Sequence, residues 1–317
     1  MASTRCVSGK TQCVSGNETL RTNPRFDTRD PLPEPRTHYP ERILQLEGFM
    51  VISKRHAGSA SPGTPRRKPA RTLDHHPIRI VPLHVPGAMA EALAAPHLTY
   101  RNGPLIAAAQ VFTLFWGAAW KQTAQAPLIG QLNAFFDFVL TSPLIDQLAE
   151  YSVPKYVITH GKRTGTATIT SPALNTSVTD AAIQKMLQQQ MAGGTVPKPT
   201  PSTLYFIYIQ PGVRVVMGGS ASCQAFCGYH NSFGANTFYA VMPYPTCNGC
   251  TSTLSAFDAL TSTSSHELCE AVTDPIPGQG WYDDTNGEIG DLCAWQTKQL
   301  GRYTVQLEWS NKAKRCV

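Results

Sequence analysis

The chain has 317 residues, room for one large domain or two small ones, and only 15% of them are charged. With 24 Gly and 25 Pro, turns and loops should be plentiful, and no apolar run reaches the 18 or so residues that a membrane-crossing helix needs. The formal charge of +6 is uneven: residues 1–88 hold 14 of the 27 Lys and Arg and 7 of the 21 acids, so residues 89–317 stand near −1 and offer no basic surplus for binding nucleic acid.

Residues 1–88 are predicted to be a disordered, basic, Pro/Arg-rich segment. Stretches such as "PLPEPRTHYP" and "SPGTPRRKPARTLDHHP" carry neither the helical nor the strand period. A solvated extension is a simpler reading than a tail that docks on an acidic partner. The composition changes at Met89, before "AEALAAPHLTYRNG", which makes Met89 a candidate start of translation. No basic stretch followed by an apolar run and a small-residue cleavage site is visible at Met1.

Residues 89–317 are predicted to form one α/β domain. A buried strand is expected within 105–117, where Val111, Phe112, Thr113, Phe115 and Trp116 cluster. Leu128, Leu132, Phe135, Phe136 and Val139 follow at helical spacing, Pro143 interrupts them, and a short second helix comes next. "KRTGTATITS" alternates as a strand does. "SVTDAAIQKMLQQQMAGG" reads as a helix with Thr179 or Asp180 at its start and a Gly-Gly stop. "TLYFIYIQPG" and "NTFYAVMPYP" are apolar strands. "STLSAFDALTSTSSHELCEAVTDP" is a long helix ended by Pro275, and "GRYTVQLEWS" is a closing strand. Alternating strands and helices predict a mixed β-sheet with packed helices and a Cys-rich loop region beside the last long helix.

Seven of the nine cysteines lie between 223 and 316. Cys223/Cys227 and Cys247/Cys250 come near zinc-ribbon spacing but lack the tight Gly turns and basic residues of a ribbon. Disulfides are therefore expected among Cys223, Cys227, Cys247, Cys250, Cys293 and Cys316, with Cys293 tied to Cys316 and Cys269 left as the free thiol. That pattern suits an oxidising compartment, extracellular or periplasmic.

The chemistry concentrates in "SSHELCEAVTDP", residues 264–275. Positions four apart share one face of a helix, so His266 and Glu270 project together and Glu267 lies beside them. This is the layout of a zinc-protease helix, with two ligands one turn apart and a glutamate between them to handle a proton. Glu270 stands where the commoner motif has a second histidine, and carboxylate oxygen is an accepted zinc ligand. A second acidic run, "WYDDTNGEIGD", offers third ligands: Glu288 and Asp291 lie 22 and 25 residues past His266. Asp291 is the preferred one. Asp274 is a nearer alternative and is more simply a residue at the helix end. The same run, 283–291, resembles an oxygen-rich calcium turn, which makes Ca²⁺ a second candidate ion, though the full twelve-residue pattern is missing. Against all of this, a lone His-Glu on a helix arises by chance, and acidic Gly-containing loops are often only solvated turns.

"SHELCEAVTDP" and "GWYDDTNGEIGDLC" together resemble a signature of bacterial extracellular zinc metallopeptidases. Over roughly residues 97–317 the chain also resembles the plant EXORDIUM or phosphate-induced protein family, through "LTYRNGPLIAAAQVFTLFWG", "FCGYHNSF", "FYAVMPYPTCNGC" and the final "KRCV". The resemblance implies a secreted protein of zincin-like fold. In it His266, Glu270 and a downstream carboxylate would hold Zn²⁺, Glu267 would be the base, and the substrate would be a peptide or protein. It equally implies a rival reading, a non-catalytic cell-wall binding module with a structural metal.

Other centres are weaker. His230, in "CGYHNSFG", is a candidate to stabilise an oxyanion and is more simply a loop histidine. His160 has no partner motif. "GGSAS" at 218–222 is not a nucleophile elbow, and no phosphate-binding Gly loop is present.

Overall fold

Seven consecutive residues, Thr203–Ile209, are buried without a break, which requires a strand covered on both faces. The computed structural model, which describes residues 80–85 and 95–317, places this strand inside a six-stranded sheet. In chain order the elements are β1 (Ile80–Pro82), β2 (Gln110–Trp116), α1 (Ala126–Val139), α2 (Pro143–Leu148), β3 (Lys162–Ile169), α3 (Asp180–Ala192), β4 (Thr203–Ile209), β5 (Phe226–Phe233), β6 (Thr237–Met242) and α4 (Ala256–Thr273). The sheet order is β1-β5-β6-β4-β2-β3. Strands β6, β4, β2 and β3 run parallel, and β5 is antiparallel to both β6 and β1.

Alternation along β4 divides the core. Leu204, Phe206 and Tyr208 pack with α1 and α4, and Tyr205, Ile207 and Ile209 pack with α3. Each large side chain so buried contributes about 1.5–3 kcal/mol. Local chemistry sets the helix ends as expected. The Ser142 hydroxyl caps α2 ahead of Pro143, Thr179 accepts from the Ala182 N–H at the start of α3, and α3 stops at Gly193. Ser255 caps α4 by accepting from the Asp258 N–H. No single helix among the described residues is long and apolar enough to cross a membrane.

Two expectations need correction. Residues 80–85 fall inside the segment expected to be disordered, yet β1 is an edge strand of the sheet, Pro82 O accepts from Trp295 Nε1 at 2.9 Å, and the His84 N–H donates to Gly249 O at 2.7 Å. A three-residue strand is too short to show a period, so composition hid it. The rest of that segment lies outside the described residues. The closing strand is also two strands, Tyr303–Gln306 and Trp309–Ser310, in separate hairpins. Between them the backbone of Leu307 turns to bond Gln296, and Glu308 bonds Val317.

The cysteines pair as Cys223–Cys247, Cys227–Cys250 and Cys293–Cys316, and Cys269 is a buried free thiol. The first two bridges tie the start of β5 to the turn before α4. The third ties the chain end to the acidic loop. The Cys-rich region is thus not all loop, since it contains β5.

Candidate metal centre

Helix α4 is buried from Ala259 to Thr273, and the small side chains of its "TSTSS" stretch let neighbouring elements approach it closely. Gly228 on β5 completes that approach, because a Cβ there would come within 2.6 Å of Thr263 Cγ2 and 3.3 Å of Glu267 Oε1. Two residues along the strand, on the same face, stands His230. On the other side of α4, Gly290 lies flat on the His266 ring, where a Cβ would fall 2.7–2.9 Å from three ring atoms. The "EIGD" loop therefore closes over the helix at the point where the helix carries its histidine.

Three elements thus bring five fully buried side chains together: His266, Glu267 and Glu270 from α4, His230 from β5 and Glu288 from the loop. His266 Nε2 lies 2.9 Å from Glu270 Oε1, and His230 Nδ1 lies 3.1 Å from Glu267 Oε2 and 3.4 Å from Glu270 Oε2. His230 Nε2 is 3.5 Å from Glu288 Oε1 and donates to the Asp274 carbonyl at 3.1 Å. Closeness is not satisfaction here. The His266–Glu270 approach lacks hydrogen-bond geometry, and both His266 nitrogens, Glu267 Oε1, Glu270 Oε2 and both Glu288 oxygens have no hydrogen-bond partner.

Burial favours the neutral form of every acid here. In Glu270 the two imidazoles outweigh burial and hold its carboxyl below the usual range. In Glu267 burial wins and raises it, and in Glu288 burial and neighbouring carboxylates raise it strongly. Burial would lower the histidines, but the carboxylates around His230 and His266 outweigh it and raise both well above normal. Without a bound cation, protons on the imidazoles thus partly offset the carboxylates.

This donor set fits a divalent cation. Two groups have ligand atoms within 4.8 Å of one another, His266 with Glu267 and Glu270, and His230 with Glu270 and Glu288. Imidazole nitrogen and carboxylate oxygen are both zinc ligands, and the orphaned atoms are what an ion would satisfy. A third group, Cys223, Cys247 and Cys250, is taken up by disulfides.

Of the acids expected as a third ligand, Glu288 is the one that joins a candidate group. Asp291 is the residue preferred on spacing, but its Oδ2 accepts the Glu288 N–H at 3.0 Å and its own N–H donates to Glu270 Oε1 at 3.1 Å. It shapes the loop, and Glu288 points into the cluster. Asp274 is occupied by the N–H groups of Gly278, Gln279 and Gly280. The proposed calcium turn is similarly engaged: Asp283 accepts from the backbone of His97, Thr285 and Asn286, and Asp284 pairs with Arg101. His230 is a strand residue. Its Nε2 proton goes to a carbonyl and its Nδ1 faces carboxylates, so neither nitrogen is offered to an oxyanion. The alternation of "FCGYHNSF" is the signal that could have placed it on a strand facing α4. His160 pairs with exposed Asp146 at 2.8 Å, remote from this centre. Glu308 was not anticipated. It is fully buried with neither oxygen hydrogen-bonded, and an acid inside the apolar run "VQLEWS" was its only sequence signal.

No model of a known protein family matches the chain, and no curated protein matches it.

Proposed function

We propose that the chain is a zinc-dependent peptidase of zincin-like fold that works in an extracellular or periplasmic compartment on peptide or protein substrates. One observation carries this reading: His266 and Glu270, one helical turn apart, meet His230 and Glu288 from two other elements, and both His266 nitrogens, Glu270 Oε2 and both Glu288 oxygens have no hydrogen-bond partner. His266 and Glu270 would hold Zn²⁺, and His230 and Glu288 stand on the far side of Glu270 as further ligand candidates. When bound, the ion would polarise the scissile carbonyl and make water acidic enough to attack it.

Glu267 is the base in this reading. Its Oε2 is held by His230, its Oε1 has no partner, and burial raises its affinity for a proton. It accepts the proton of the attacking water and passes it to the leaving amine. The carboxylate-rich surroundings offset more of the ion's charge than three histidines do, so activity should peak at higher pH than for a three-histidine site.

The complete burial of all five side chains favours a second reading, a non-catalytic extracellular module in which the metal staples loop to helix. Elemental analysis of the purified chain, with casein hydrolysis by wild type and Glu267→Gln, tests both. The peptidase reading expects metal in both proteins and a 10²–10⁴-fold loss of activity in the variant. Metal without wild-type hydrolysis selects the stapling reading. Protein free of transition metal after expression with added zinc rejects both.

A further inference from the structure

We propose that this centre is built for two divalent ions, with Glu270 as the carboxylate that bridges them. The inference rests on the metal-dependent reading above and goes past it in number and arrangement.

The geometry points there first. Two ligands of one ion, each about 2.0–2.2 Å from it, are at most about 4.4 Å apart. Ligand atoms within 4.8 Å of one another, a little wider than that limit, form two groups, and Glu270 is the residue they share. Among the described residues, no such group joins His266 to His230 or to Glu288. One ion therefore cannot take both histidines without rearrangement, whereas two ions can. The oxygens of Glu270 divide accordingly, Oε1 toward His266 at 2.9 Å and Oε2 toward His230 at 3.4 Å. A carboxylate turned to two imidazoles through its two oxygens is placed as the bridge of a two-ion centre, where ions sit about 3.5–4 Å apart.

The hydrogen bonds of His230 add an independent argument. A carbonyl oxygen only accepts, so the contact with Asp274 O puts hydrogen on Nε2. Nδ1 is then the nitrogen turned to Glu267 Oε2 and Glu270 Oε2, where it either carries a second proton or offers its lone pair to a cation. A ligating histidine whose other nitrogen donates to a backbone carbonyl is also the usual way a metal-binding ring is oriented. Glu288, with no hydrogen bond to either oxygen and no solvent exposure, approaches His230 at Nε2, 3.5 Å away, and completes the group formed by His230 and Glu270.

Five buried acids stand together here, Glu267, Glu270, Glu288, Asp274 and Glu308, and no arginine or lysine forms an ion pair with any of them among the described residues. One imidazole per ion in a carboxylate-rich shell suits Zn²⁺ and Mn²⁺.

The test is a metal count on the full chain. The protein is stripped by chelation, reloaded separately with Zn²⁺ and Mn²⁺, and analysed for bound ions, with an electron paramagnetic resonance spectrum of the Mn²⁺ form. The expected results are two ions per chain and a spin-coupled manganese pair. His230→Ala should then hold one ion, and His266→Ala should also hold one. One ion in wild type, or two manganese ions without coupling, overturns the bridged pair and leaves the metal-dependent reading intact. No bound ion overturns both. The wild-type count and spectrum decide the matter even where a variant fails to fold.

Discussion

Tyr229 and His230 are neighbours on β5, and they lead to two polar clusters of opposite character, the first half-buried and the second fully buried. On the α3 face, Asp180 Oδ1 accepts from the hydroxyls of Tyr229 and Tyr239, each at 2.7 Å, and its Oδ2 accepts from Gln184 Nε2 at 2.8 Å. Both carboxylate oxygens and both hydroxyls are satisfied. On the α4 face, His230 enters a cluster in which six side-chain atoms of His266, Glu267, Glu270 and Glu288 have no hydrogen-bond partner. Both clusters tie a helix to the same strand. Only the first is complete in itself. Since buried polar groups are nearly always satisfied, the second has a deficit that a ligand would fill.

Chelation should separate the two clusters most sharply. A ligand at a thousand times its dissociation constant adds about 4 kcal/mol to stability. At about 2–4 °C per kcal/mol for a domain of this size, stripping the metal should lower Tm by about 8–16 °C. Scanning calorimetry with and without chelator measures this. An unchanged Tm after verified metal loss would mean that the α4 cluster is self-sufficient after all.

The pH dependence sharpens the same contrast. In metal-free protein His230 and His266 bind protons more tightly folded than unfolded. The stability they contribute is full below their unfolded pKa, about 6.5, and is lost as pH rises through the raised folded values. The raised Glu267 and Glu288 act in the same direction. Glu270, which is lowered, acts in the opposite direction, but only below its unfolded pKa of about 4.3. Metal binding needs these groups deprotonated and strengthens with pH. The gap between the melting curves with and without chelator should therefore widen from pH 6 to pH 9; parallel curves would argue against the ion.

On the other face, Asp180→Ala leaves two buried tyrosine hydroxyls without their acceptor and should cost about 1–3 kcal/mol, with metal content unchanged. Loss of metal in this variant would show that the clusters are coupled through β5. The smallest effects belong to the N-terminus. Deleting residues 1–79 should leave Tm nearly unchanged, while a deletion extended through residue 85 removes β1 and its bonds to Trp295 and Gly249, at about 1–2 kcal/mol. Equal melting of the two truncated chains would show that β1 adds nothing to the sheet.

Local signals carried much of the fold. Pro143, Thr179, the Gly-Gly after α3 and Pro275 mark helix ends through capping and backbone restriction, and these act within a few residues. The same short range placed His266, Glu267 and Glu270 on one helical face, because spacing along a helix is a property of the helix alone. Tertiary structure decided what faces them. Glu288 and Asp291 both offer carboxylates at suitable distance in sequence. Only the folded loop, pressed by Gly290 onto the His266 ring, turns one inward and uses the other to bond its own backbone. His230 and Glu308 reach the α4 region from β5 and the C-terminal hairpins, and no local pattern records that proximity. The division has a physical cause: capping and periodicity are written between near neighbours, whereas a buried site is assembled by packing between segments far apart in the chain.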